Sequence, residues 1–94
     1  MNNEKIVAKE RVSDASGWVY TVTVGSGDEA TEHTVSLKRE TLDELGDGRN
    51  AEQFITDTFR FLLTREPKES ILRSFDITDV SSYFPEFGSE IGIE

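Results

Sequence analysis

The chain has 94 residues, enough to bury one hydrophobic core and too few for two independent ones. It contains no cysteine and a single histidine, which excludes structural disulfides, thiolate metal sites and cysteine nucleophiles and leaves little for imidazole chemistry. Its 10 Lys and Arg residues face 19 Asp and Glu, a net charge of −9 that opposes non-specific binding to nucleic acid or to an anionic membrane.

Residues 5–12, KIVAKERV, read as a first strand with Ile6, Ala8 and Val12 on one face and Lys9 and Arg11 opposite, although Val7 breaks the alternation. Asp14-Ala15-Ser16-Gly17 has the turn chemistry to end it. WVYTVTV then places Trp18, Tyr20, Val22 and Val24 on one side and Val19, Thr21 and Thr23 on the other, in the β-branched and aromatic composition that suits a strand. After the turn at Gly25-Ser26-Gly27-Asp28, TEHTVSLKR gives a third strand in which His33, Val35 and Leu37 alternate with Thr34, Ser36 and Lys38. Short connections make the three an antiparallel meander with one apolar face to cover.

From Glu40 the period changes to that of a helix. Leu42 and Leu45 lie three apart before Gly46, which predicts a two-turn helix over 40–45 with a glycine end. Asn50, with Gln53 three residues on, caps a longer helix over 51–65 whose apolar stripe, Ala51, Phe54, Ile55, Phe59 and Leu62, is widened by Phe61 and Leu63. So broad a stripe predicts burial on more than one side, as the central helix of the domain or as part of a homodimer interface. Glu66 before Pro67 ends it, and Pro67 suits the first position of a further helix over 67–74 carrying Ile71, Leu72 and Phe75 on one face. Asp76 opens a last helix over 77–84, with Ile77, Val80 and Phe84 at helical spacing, stopped by Pro85. Residues 86–94 read as a loosely ordered acidic tail anchored by Phe87 and Ile91.

The expected fold is therefore α+β: a single small domain over 1–94, with a three-stranded antiparallel meander followed by three to four helices packed on one of its faces. No apolar run reaches signal-peptide length at the N-terminus or the ~20 residues of a membrane span. The expectation is a cytoplasmic chain with no membrane partner.

Residue types that carry chemistry are sparse. A Ser-His-Asp arrangement through His33 could be drawn in any chain this rich in Ser and Asp, and the strand pattern makes His33 a partly buried strand residue instead. DELGDGRNAEQF has Asp43, Asp47 and Gly48 at the first, fifth and sixth positions of a calcium loop, but Leu45 and Phe54 stand where oxygen ligands are required. Gly25-Ser26-Gly27 lacks the lysine of a phosphate-binding loop and joins two strands. No pair of carboxylates is singled out. No enzyme, cofactor or metal is expected.

Two surfaces are candidates for binding. With the apolar sheet face inward, Lys9, Arg11, Thr21, Thr23, Thr34, Ser36 and Lys38 point outward together, a mildly basic face on an acidic protein that suits an acidic partner or a single nucleic-acid strand. In the stretch REPKESILRSFDITDVSSYFPEF, Arg65, Lys68 and Arg73 are basic residues at an otherwise acidic end. The expected function is a non-enzymatic protein-interaction module, acting through the sheet face or through the acidic C-terminal tail.

Residues 33–66, a strand with alternating polar positions followed by two helices and a glycine turn between them, resemble the ribbon-helix-helix family of dimeric DNA-binding repressors. The resemblance implies a second function, a dimeric nucleic-acid-binding regulator whose strand 33–39 enters the major groove through Thr34, Ser36 and Lys38, with Asn50 and Ala51 near phosphate. REPKESILRSFDI followed by YFPEF is also similar to the C-terminal half of a group of short uncharacterised prokaryotic proteins with a strand-rich start. That second resemblance implies no catalytic residue.

Overall fold

Three period-two segments become the strands they predict. The computed structural model describes residues 4–91, with β1 at Ile6–Ser13, β2 at Gly17–Val24 and β3 at Thr31–Lys38. Neighbouring strands run antiparallel, and pairs such as Trp18 with Leu37, Tyr20 with Val35 and Val22 with His33 form one inner face. The β1–β2 turn is built by Asp14, whose Oδ1 accepts from the Ser16 N–H at 2.9 Å, the Ser16 hydroxyl at 2.8 Å and the Gly17 N–H at 3.1 Å. Gly17 is required by close approach, since a Cβ there would lie 2.2 Å from the Leu37 carbonyl oxygen of the facing strand.

The sheet differs from the expected meander by a fourth strand. Segment 67–74 is not a helix: Pro67 leads only a single 3-10 turn at Lys68–Ser70, and Ser74–Asp76 forms β4, parallel to β3 in the order β1-β2-β3-β4. The sheet is thus four-stranded and mixed. The physical reason is the otherwise bare edge of β3, whose Thr34 N–H finds the Arg73 carbonyl at 2.7 Å. A three-residue strand is too short to imprint a period, while Ile71 and Phe75, four apart, fit a helix equally well. β3 has a full neighbour in β2 on one edge and β4 along Thr34–Ser36 of the other, whereas the ribbon-helix-helix arrangement pairs this strand with a second chain.

A second difference lies in β1. The ladder pairs Glu10 with Tyr20 and Val12 with Val19, so Arg11 is an extra residue, a β-bulge. It moves Val12 from the expected inner face to the outer one, beside Val19 and on the same side as Val7. Val7, which breaks the apolar alternation, keeps regular register opposite Thr23 and is an exposed apolar residue on the outer face.

The helices follow their caps. Helix α1 spans Arg39–Leu45 and ends with the Gly46 N–H on the Leu42 carbonyl at 2.7 Å, while the turn beyond is made by Asp47 and Gly48 at φ of 52° and 86°. Helix α2 spans Ala51–Leu63, its N-terminus capped by the Asn50 side chain, which accepts from the Gln53 N–H at 2.8 Å. Asp76 caps α3, Ile77–Tyr83, and the reciprocal bond from its own N–H to Asp79 completes a capping box. Within the expected acidic tail, Phe87–Ile91 forms α4 with both named anchors buried; residues 92–94 lie outside the described residues.

The broad stripe of α2 is used within the chain. Phe59 packs on the inner sheet face against His33 and Phe75, with ring centroids at 5.4 and 5.9 Å. Phe61 turns to the other side and meets Phe87 at 5.2 Å and Phe84 at 6.0 Å. Two sets of partners account for a stripe too wide for one face.

Candidate functional site

The outer face of the sheet gathers residues from all four strands. β1 contributes Val7, Lys9, Arg11 and Val12, β2 contributes Val19, Thr21 and Thr23, β3 contributes Glu32, Thr34, Ser36 and Lys38, and β4 adds Ser74 and Asp76, so that one exposed carboxylate, Glu32, stands on the face opposite Thr23 without an ion pair among the described residues. The five sheet residues expected at a binding surface, Lys9, Arg11, Thr34, Ser36 and Lys38, do lie together here. They do not share one electrostatic character.

On the β3–β4 side the charge is internally balanced. The Ser36 hydroxyl donates to Asp76 Oδ2 at 2.6 Å, and Lys38 Nζ lies 3.8 Å from the same oxygen. Burial works against the Asp76 carboxylate, but the Ser36 hydroxyl, the Thr78 N–H and hydroxyl, and Lys38 together hold its pKa below the ordinary 3.8. Asp76 is thus ionised across the physiological range and tied to three elements at once. On the β1 side Arg11 Nε donates to the Thr21 hydroxyl at 3.0 Å, and Lys9 has no side-chain partner among the described residues. Val7 and Val12 flank these cations at 45% and 47% exposure, two of the four large apolar side chains left exposed among the described residues. The β1 side thus differs from the β3–β4 side in carrying a bulge, two exposed valines and two cations without an ion pair among the described residues.

The three basic residues of the C-terminal stretch are not brought together. Arg65 lies over the Phe61 ring at 4.6 Å, with Nε 3.0 Å from Glu86 and a terminal nitrogen 3.5 Å from Glu90. It pins α4 to the end of α2. Lys68 is buried, with Nζ 3.0 Å from Glu4 and 3.3 Å from Glu69; its hydrogen bond to Glu4, above all, raises its pKa. Arg73 is exposed, as Arg65 is, and alone of the three has no side-chain partner among the described residues. Two of the three are therefore held by intramolecular ion pairs.

His33 is fully buried rather than partly so. Its Nδ1 lies 2.8 Å from the Leu72 carbonyl oxygen and its Nε2 2.8 Å from the Thr31 hydroxyl. A carbonyl only accepts, so Nδ1 carries the proton and Nε2 accepts from Thr31. Both nitrogens are occupied, and burial lowers the imidazole pKa below 6.5 despite the opposing bond to Leu72. Among the described residues no three His, Asp or Glu side chains are grouped to hold a metal ion, and no helix is long and apolar enough to cross a membrane.

Sequence reasoning placed the cations of the face but missed Val12 and Asp76. Nothing local marks the bulge at Arg11, which lies beyond the regularly paired residues Ile6–Glu10, and nothing local marks Asp76 as a sheet residue, because its strand exists only by pairing with β3. Comparison with protein-family models, with curated proteins and with solved structures finds no match to this chain in any of the three.

Proposed function

We propose that this chain is a non-enzymatic protein-interaction module that docks an acidic protein segment on the β1 side of its outer sheet face. The observation that carries the reading is the placement of exposed Val7 and Val12 around Lys9 and Arg11, cations that no carboxylate of the described chain neutralises. Apolar contact supplies affinity and the cations supply orientation and rate of encounter, the division of labour usual at protein interfaces. The face is open strand surface apart from a hollow lined by Val12, Val19, Ser36, Lys38 and Asp76, and its mix of apolar and cationic side chains suits an extended protein segment. The only histidine is buried and bonded at both nitrogens, which supports a binding role over acid–base catalysis.

Carbodiimide coupling in a lysate, which joins a lysine amine to a carboxylate with loss of water, tests the reading. Lys9 and Lys38 should link to acidic segments of a protein partner, and the Lys9→Glu/Arg11→Glu variant should lose the links at Lys38, whose amine it keeps, while its unfolding free energy stays within about 0.5 kcal/mol of the parent, as exposed substitutions do. Persistence of the links in the variant would remove the β1 side as the docking surface. Saturable amide shifts at Lys9, Arg11 and Lys38 on titration with mixed oligonucleotides at low salt would instead favour a nucleic-acid-binding regulator.

A further inference from the structure

The other two exposed large apolar side chains, Leu72 at 48% and Tyr83 at 66% exposure, lie together at a different place. They flank a groove between the end of α2, the approach to β4 and helix α3, floored by Ile71, Phe75, Val80 and Phe84. The groove shares no lining residue with the outer face residues named above. Its enclosed volume is only about 30 Å³, far below the roughly 300–1,000 Å³ of small-ligand sites, so it is a shallow apolar cleft that suits the edge of one side chain and not a small molecule.

The charge at its rim is one-sided. Glu66 and Asp79 are the charged residues lining the groove, and no cation lines it. Asp79 Oδ2 accepts from the Asp76 N–H, while the Glu66 carboxylate has no hydrogen bond or ion pair among the described residues. This is notable because Glu66 is flanked by cations in the sequence. Arg65 is turned to Glu86 and Glu90, and Lys68 to Glu4 and Glu69, so each cation neutralises a different acid. Half-buried beside apolar side chains, Glu66 keeps a carboxyl whose pKa burial raises above 4.5. Ionising it there costs stability that a glutamine would not.

We infer that this groove is a second docking site, which takes one apolar side chain of a protein partner with a lysine or arginine beside it, the cation pairing with Glu66. An exposed apolar groove accounts for the anchor; an unneutralised carboxylate at its edge selects the neighbour by charge. Leu72 and Tyr83 close over the anchor and exclude water from the ion pair, which strengthens it relative to one in open solvent.

Three capped dipeptides serve as probes: phenylalanyl-lysine, phenylalanyl-glutamine and phenylalanyl-glutamate, each titrated into the intact isotope-labelled protein. Saturable amide shifts are expected at Leu72, Phe75, Val80 and Tyr83, with affinity falling in that order. The lysine probe should bind roughly fivefold tighter than the glutamine one, the size of one partly exposed ion pair. Glu66→Gln, isosteric and folded, should abolish that difference while leaving the phenylalanine contact. Leu72→Ala, at an exposed position, should weaken all three alike. No shift at these four amides, or equal affinity for the lysine and glutamate probes, overturns the inference. So do shifts at the same amides that appear with protein concentration alone and vanish in Leu72→Asp, because the groove then joins two copies of this chain.

Discussion

His33 holds the approach to β4 in place by being neutral. The chain unfolded takes a proton at the ordinary 6.5, while burial against Phe59 lowers the value in the fold. The stability this asymmetry confers is complete above 6.5 and is lost as the pH falls from 6.5 through the lower folded value. Urea midpoints should therefore drop on acidification from about pH 7.5 to about pH 5, and His33→Gln should flatten that part of the drop. At neutral pH the same substitution should cost about 1–3 kcal/mol, because glutamine cannot reach both the Leu72 carbonyl and the Thr31 hydroxyl in the imidazole geometry. An identical acid dependence in parent and variant would remove His33 as the group responsible. The sequence identified His33 as an inward strand residue, since it alternates with Thr34 and Ser36. It could not show the Leu72 carbonyl, which lies 39 positions away.

At the scale of elements, caps and turns were legible because their chemistry is local, and strand partners were not. Asn50 and Asp76 sit where N-caps belong, and the inward alternation of β2 and β3 survives intact. The bulge at Arg11 and the strand at Ser74–Asp76 depend on what lies across the ladder, so no window along the chain contains them. Asp76 shows how much one such residue carries, being at once the cap of α3, the acceptor for Ser36 and the counter-ion of Lys38. Asp76→Ala should destabilise the fold by about 2 kcal/mol, the sum of a lost cap and a lost half-buried hydrogen bond, with the exposed Lys38 pair adding little. Asp76→Asn, which still caps, should recover most of this. Hydrogen exchange at the Thr78 amide reports the same loss, and wild-type protection there in the alanine variant would argue against the cap. Because the folded pKa of Asp76 is depressed, its stabilisation is present above 3.8 and fades as the pH falls through the lower folded value.

For the whole molecule, the last described helix is part of the core. Phe87 is fully buried and meets Phe54 at 6.3 Å and Phe61 at 5.2 Å, closing the side of α2 that the sheet does not reach. Phe87→Ala should cost about 3–5 kcal/mol, a large share of the roughly 5–10 kcal/mol available to a domain of this size. Chemical denaturation followed by circular dichroism measures it; a loss below about 1 kcal/mol would mean that α4 does not close the core. Phe87 and Ile91 were recognisable as anchors by being apolar in an acidic stretch, whereas the groove was not recognisable at all. Its wall residue Leu72 shares its helical spacing with Ile71 and Phe75, and only the extended path from Ile71 to Asp76 separates the exposed residue from the buried ones.

The three residues of β4 give the chain a hinge between its two surfaces. Ser74 and Asp76 stand on the outer face while Phe75, between them, floors the groove, because side chains alternate along a strand. A slip of one position against β3 would aim a carboxylate at Phe59 and leave Phe75 in water, spoiling both surfaces together. The register of this short strand therefore sets both surfaces at once, with Asp76 held to Ser36 and Lys38 of β3 on one side and Phe75 seated in the groove on the other.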